Sequence, residues 1–518
     1  MITRLSSAVT AGLSAAVLIA GCGTPAPPAP HDEGANNTAP VVSDLPSRPD
    51  SIRFAMPGEA TAMPSLAASG SRIAIVWTGT KNGAMNVYAA VSEDGGVTFP
   101  VQTRVNDRDQ DVSANVEQPP RVAVTATEIA VVWASKRTGA AAIRLARSKD
   151  GGRTFGRAIT LHDPSLKGAR GWQSLAAGPD GLLHAVWLDG RNAMDHSSMP
   201  NAGSPRQDVY AAVIDPDNKV TETQVAANVC FCCKTAVVAG NANRVLAAWR
   251  HIFPGSIRDI AMAVSADGGR EFGPLARVSE DKWTIAACPE DGPALALDAR
   301  ETVHAVWPTV VSEGQPQGQS QKVVFYASTA DGRTFTPRVR LSASGQDEAA
   351  HPQIAGGRSG GLAAVWDEPH DGLRLVMFRP IWPGGQSGIG RSLNTSITGS
   401  HPVIAPVADG FLVAWTSAEG AASAIVMRHV AAEEPPGKPG EKRPFAFRGK
   451  VEQVDARAGT VTVQGDDVPG WMGAMTMVYK VENKDIVARV KPGDRIAATV
   501  YTDDFQTLHG VAIVAADR

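Results

Sequence analysis

From Met63 to about Val430, short apolar runs and polar turns alternate in a recurring order. Runs ending in tryptophan recur at Trp77, Trp133, Trp187, Trp249, Trp307, Trp366 and Trp415, at spacings of 49 to 62 residues. Most are preceded, 13 or 14 residues earlier, by a strand start such as Pro64-Ser65-Leu66, Pro120-Arg121-Val122, Pro352-Gln353-Ile354 or Pro402-Val403-Ile404. A third run follows most tryptophans, for example Val87 to Val91. A period near 50 residues with about four short strands is that of propeller blades. The pattern predicts an all-β propeller of six or seven blades, seven being preferred. The last repeat is expected to borrow a strand from Ser51 to Met56.

The turn after the third run repeats as well. Ser92-Glu93-Asp94-Gly95-Gly96-Val97-Thr98-Phe99 recurs as Ser148 to Phe155, as Ser265 to Phe272 with Glu271 in place of Thr, and as Ser328 to Phe335, one residue shorter between the Asp and the Phe. It resembles the Asp box of sialidases and related BNR-repeat proteins. The resemblance implies a sialidase-like β-propeller over residues 51–430, with structural aspartates at Asp94, Asp150, Asp267 and Asp331. Glycine supplies the positive φ of such a turn and aspartate bonds nearby amides. In that family these boxes lie away from the active face, so the long 2–3 and 4–1 loops should gather opposite them. Sialidase chemistry also implies an arginine triad and a tyrosine–glutamate nucleophile pair. Arg53-Phe54 does not reproduce the usual first-arginine motif. Arg191, Arg250 and Arg258 are the arginines available for a triad, and Tyr88, Tyr210 and Tyr326 fall on third strands.

Composition adds limits. A net charge of −3 over 518 residues gives no reason to expect nucleic acid as a partner. At the N-terminus, Arg4 and the apolar run Val9 to Ile19 form a targeting segment. Leu18-Ile19-Ala20-Gly21-Cys22 resembles a bacterial lipobox, which implies lipidation at Cys22; the alternative is an ordinary secretory signal. Residues 23–50, rich in Pro, Ala and polar residues, read as a flexible tether. The expected location is the bacterial cell envelope, lipid-anchored and facing the periplasm, with the outer membrane ahead of the inner.

Only five cysteines are present, and Cys230, Cys232 and Cys233 lie within four residues of one another. With Cys288 they form disulfides, a soft-metal site or a redox pair. The repeat register places Met63, Pro119, Trp172, Cys233, Gly292, His351 and His401 just before the innermost strands. Cys230, Cys232, Cys233, Cys288, His351 and His401 are therefore expected at one propeller mouth.

After a Pro- and Gly-rich linker at residues 431–444, Phe445 to Arg518 reads as a small OB-like β-barrel. Its strand candidates are Ala446–Val454, Thr460–Gln464, Met475–Val481, Arg495–Tyr501 and His509–Val514. Met475 and Met477 alternate on one strand, and thioethers suit Cu(I) or Ag(I). Gly449-Lys450-Val451, Gly459-Thr460-Val461-Thr462, Met475-Thr476-Met477 and Lys491-Pro492-Gly493-Asp494 together resemble the CusF-type periplasmic copper/silver-binding family. The resemblance implies Met475 and Met477 as ligands, Met472 as a third and Trp471 as a cap over the ion. The family's histidine would fall at Gln464 or Gly465, and its loss implies weaker binding or a ligand from elsewhere such as His509.

The resulting expectation is a periplasm-facing lipoprotein that binds and handles copper, with a copper transport or efflux component as partner. The propeller supplies a second site or a docking surface. The alternative is an enzyme at the propeller mouth, either a sialidase-type glycosidase or a copper-dependent redox catalyst.

Overall fold

The computed structural model describes residues 48–518, apart from 137–140, 194–205, 286–288, 313–319, 343–347, 357–360, 383–384, 420–421, 434–443, 467, 469–474, 502–503 and 515–518. Cys22, Cys288, Trp471 and Met472 therefore lie outside the described residues, as does the side chain of Met475.

Seven four-stranded antiparallel sheets follow one another along the chain. In blade one the strands run Ala60–Ser69, Arg72–Lys81, Ala84–Ser92 and Gln102–Arg104, from channel to rim. Blade seven has three strands from its own repeat, Gly399–Val407, Gly410–Glu419 and Ala422–Ala431. Its fourth is Ile52–Phe54, paired to the third through Ile52↔Met427 and Phe54↔Ile425. The two ends of the propeller segment thus share one sheet, which closes the ring.

Each blade's tryptophan packs on the blade before it. Trp133 sits against Val76, Val87 and Ala89 of blade one, and Trp77 against Leu412, Ala414 and Ile425 of blade seven. The same holds for Trp187, Trp249, Trp307, Trp366 and Trp415, so the periodic residue of the sequence is the inter-blade anchor. Such rings bury large apolar areas, and each is held by shape against its neighbour.

The Asp boxes join third and fourth strands as expected. Asp94 accepts hydrogen bonds from the amides of Val97 and Thr98 and from both the Ser92 and Thr98 hydroxyls. Asp150 likewise accepts from the Ser148 and Thr154 hydroxyls and the Thr154 amide, and Asp267 from the Ser265 hydroxyl and the amides of Arg270 and Glu271, which takes the threonine's place. In the shorter box Thr329, rather than Ser328, donates to the aspartate, here Asp331. Gly96 needs to be glycine twice over: its φ is +88°, and a Cβ there would lie 2.3 Å from Leu412 of the adjoining blade.

Residues 444–514 form a closed five-stranded barrel from Pro444–Asp455, Thr460–Gly465, Met475–Val481, Arg495–Tyr501 and Asp504–Val514. Its core includes Phe447, Val463, Tyr479, Ile496 and Leu508. The last strand begins earlier than the sequence pattern suggests. A single helical turn, Lys484–Val487, capped by Asn483, was not expected; it precedes the Lys491-Pro492-Gly493-Asp494 turn. No helix among the described residues is long and apolar enough to cross a membrane.

Phe54 is fully buried between Trp77 and Phe99, at ring-centroid distances of 5.2 and 5.3 Å. Phe54→Ala is expected to cost about 3–5 kcal/mol in urea unfolding. A loss below about 1 kcal/mol would show that the short outer strand does not hold the ring closed.

Candidate metal centres

The innermost strands enter the channel through a repeated irregularity. In blades one, three, six and seven their pairing register shifts between Ala62/Ser65, Gly171/Ser174, Ala350/Gln353 and Ser400/Val403. The residue inside each shift has positive φ: Met63 60°, Trp172 52°, His351 54° and His401 54°. Left-handed backbone costs an ordinary residue about 1 kcal/mol or more, so it must be held. The amides of His351 and His401 donate to Asp291 and Asp367 at 2.6 Å, and that of Met63 to Thr416 at 3.2 Å. Each acceptor belongs to the preceding repeat, so these bonds tie neighbouring blades together at the mouth.

This register corrects one expectation. Ser65, Gln353 and Val403 each pair with the residue before their blade's tryptophan; in blade four that partner is Ala236. Two residues earlier stands Lys234, not Cys233. Cys233 packs instead with Cys230, Cys232 and Trp172. Lys234 borders the mouth cavity with Met63, Pro119, His351 and His401. At Gly292, the matching position in blade five, a Cβ would lie 2.2 Å from the Lys234 carbonyl oxygen. The cysteines and histidines consequently form two groups rather than one.

The first group is Glu117, His351 and His401. His351 reaches Asp367 through Nδ1 at 2.8 Å and Glu117 through Nε2 at 2.9 Å. Its ring stacks on that of His401, centroids 3.8 Å apart. Lys234 Nζ lies 2.7 Å from Asp291 and 3.4 Å from Glu117. Burial opposes the charged form of His351, but the hydrogen bonds of Asp367 and Glu117 outweigh it and hold the imidazole up at about 9. Burial wins at His401 and pushes it down. Glu117 is held below the usual carboxylate range: burial favours the neutral acid, and Lys234 with the two histidines reverses it.

The second group is Cys230, Cys232 and Cys233, packed by Trp172, Phe231 and Ile252. Cys230 and Cys233 are free thiols, whereas Cys232 is disulfide-bonded, its partner lying outside the described residues. Cys233 donates to the Cys230 sulfur at 3.5 Å, and Arg258 Nη1 donates to it at 3.3 Å. The Cys233 hydrogen bond lowers the Cys230 thiol to about 6; burial opposes this, and Arg258 and Arg250 assist. A thiolate at neutral pH is a strong soft-metal ligand. Burial and its bond to Cys230 push Cys233 up.

In the barrel, Met477 pairs with Val463 and Met475 with Gly465. Met477 is partly buried against the barrel core, in the inward row with Tyr479 and Val481. Gln464, at the place of the expected histidine, is exposed and pairs with Thr476. His509 does not replace it. It bonds Glu482 at 3.0 Å, beyond Val481, while Met477 is four residues back along its strand, roughly 13 Å.

The arginines available for a sialidase triad are committed elsewhere. Arg191 bonds Asp189 and Glu222, Arg250 bonds three backbone carbonyls, and Arg258 bonds Cys230. Sequence reasoning missed Glu117, Lys234 and Asp367. The acid directly after Trp366 and the Glu117-Gln118-Pro119-Pro120 run before a strand were the available signals.

Residues 445–508 match the family described as "Copper binding periplasmic protein CusF", so the barrel is a CusF-type domain. No curated protein matches the chain. Similar solved structures include an ulvan lyase of polysaccharide lyase family PL25, at TM-score 0.46 and 10% identity over 74% of this chain and 96% of that one. A Penicillium chrysogenum α-L-arabinanase has TM-score 0.39 and 14% identity over 74% and 99%. Trypanosoma rangeli sialidase has TM-score 0.39 and 10% identity over 90% and 89%. At this level of similarity none of them bears on what the chain binds or catalyses.

The charged mouth makes stability depend on pH. The folded value of His351, about 9, lies above the ~6.5 of an unfolded histidine. Its stabilisation is full below pH ~6.5 and lost as pH rises through about 9, by about 3 kcal/mol at most. Urea unfolding of metal-free protein at pH 6 and 9.5 should show this loss, and His351→Gln should reduce it. An identical pH slope in the variant would contradict the assignment.

Proposed function

We propose that this protein binds and handles copper in the periplasm, anchored through a lipid on Cys22, and is not itself an enzyme. The observation that carries the reading is the Met475-x-Met477 strand in a barrel that matches the CusF family. Thioethers stay uncharged and soft at any pH and favour Cu(I), or Ag(I), over harder ions. Met475 and Met477 are the ligands, with Met472 as a third and Trp471 facing the ion by cation–π contact. Without a histidine at Gln464, this site should hold copper more weakly than a full ligand set, which suits hand-over to a transport or efflux component.

The Cys230 and Cys233 pair gives the propeller a second copper site. Their sulfurs lie 3.5 Å apart, and a small outward shift would let one Cu(I) bridge two thiolates. Two adjacent free thiols in an oxidising compartment invite oxidation, which a bound soft metal prevents. Cys288 is the expected disulfide partner of Cys232, leaving the other two as ligands.

Titration of the mature chain with Cu(I) against a chromophoric competitor should give two equivalents. Met475→Ala/Met477→Ala should remove one and Cys230→Ser/Cys233→Ser the other. A methionine variant that keeps both equivalents would refute copper binding by the barrel.

A further inference from the structure

The mouth group has a donor set unlike either sulfur site. Glu117 Oε1 lies 2.9 Å from His351 Nε2 and 3.8 Å from His401 Nε2. Ligands held at about 2.0–2.2 Å around one ion stand roughly 3–3.5 Å apart; both Glu117 distances are within tenths of an ångström of that spacing, and all three donor atoms lie within 4.8 Å of one another. His401 Nε2 is buried and has no hydrogen-bond partner among the described residues. His351 and His401 also border, with Met63, Lys234 and Arg121, a cavity of about 20 Å³ beside this group, space for a single ion or water.

We propose that Glu117, His351 and His401 bind a borderline divalent transition ion, Zn²⁺ foremost, at the mouth of the propeller channel and independently of the copper sites. Two imidazoles and one carboxylate, with no sulfur among them, select for such an ion over Cu(I). Asp367 at Nδ1 of His351 fixes the tautomer that turns Nε2 toward the ion, the usual outer partner of a metal-bound histidine. The two histidines are presented by the same backbone device, each held at φ 54° by a hydrogen bond from its backbone amide to an aspartate of the preceding repeat. Lys234 bears on the other oxygen, Oε2, and leaves Oε1 for the ion. The ion would link blades two, six and seven across the channel.

The test is titration of metal-stripped full-length chain with Zn²⁺, with the zinc-edge absorption spectrum of the loaded protein. One equivalent is expected, with nitrogen and oxygen neighbours at about 2.0–2.1 Å and no sulfur. His401→Gln should weaken binding at least ~10-fold while leaving Cu(I) stoichiometry unchanged, and Cys230→Ser/Cys233→Ser should leave Zn²⁺ affinity intact. A sulfur neighbour at about 2.3 Å would place the ion at the cysteines and overturn the proposal. So would unchanged affinity in His401→Gln, or no Zn²⁺ bound by folded wild-type protein. Should the variant not fold, the wild-type spectrum still decides.

Discussion

Closure of the ring governs the rest of the structure. Seven sheets, each with a tryptophan wedged against the blade before it, form a circle, and Ile52–Phe54 gives the last its fourth strand. Once closed, seven inner strands converge on one narrow channel, and the residue at each entrance meets its counterparts from other repeats. Residues hundreds of positions apart, such as Glu117 and His401, are thereby brought together without any local sequence relation.

That convergence explains why the mouth is so heavily charged. Lys234, Glu117, Asp291, His351 and Asp367 are all largely buried, where an unpaired charge would be costly. They tolerate burial because each meets a partner from another repeat, and the same carboxylates accept the strained amides of His351 and His401. Folding energy and site geometry are therefore set by one network.

Much of this was legible from the residues. The tryptophan period gave the blades, the Asp boxes their turns, and Ser51 to Met56 the closing strand, because each depends on a local pattern repeated many times. Strand limits in the barrel were also close, Met475–Val481 and Arg495–Tyr501 included. What failed depended on register or on pairing across repeats. A single-residue offset put Cys233 where Lys234 stands, and Cys233 packs with Cys230 and Cys232 instead of lining the mouth cavity. Glu117 carries no repeat signature, so only the closed ring reveals it beside the histidines. His509 lies too far along its barrel to complete a site with Met477, a separation set by strand pairing.

The proposed copper sites are both built from sulfur, thioethers on the barrel and a thiol pair in the propeller, and the charged mouth offers harder donors instead. The most direct measurement is anomalous diffraction at the copper edge from crystals of Cu(I)-loaded protein. The expected map has one peak beside Met475 and Met477 and another between the Cys230 and Cys233 sulfurs. A map with no peak at the methionines would contradict the central claim.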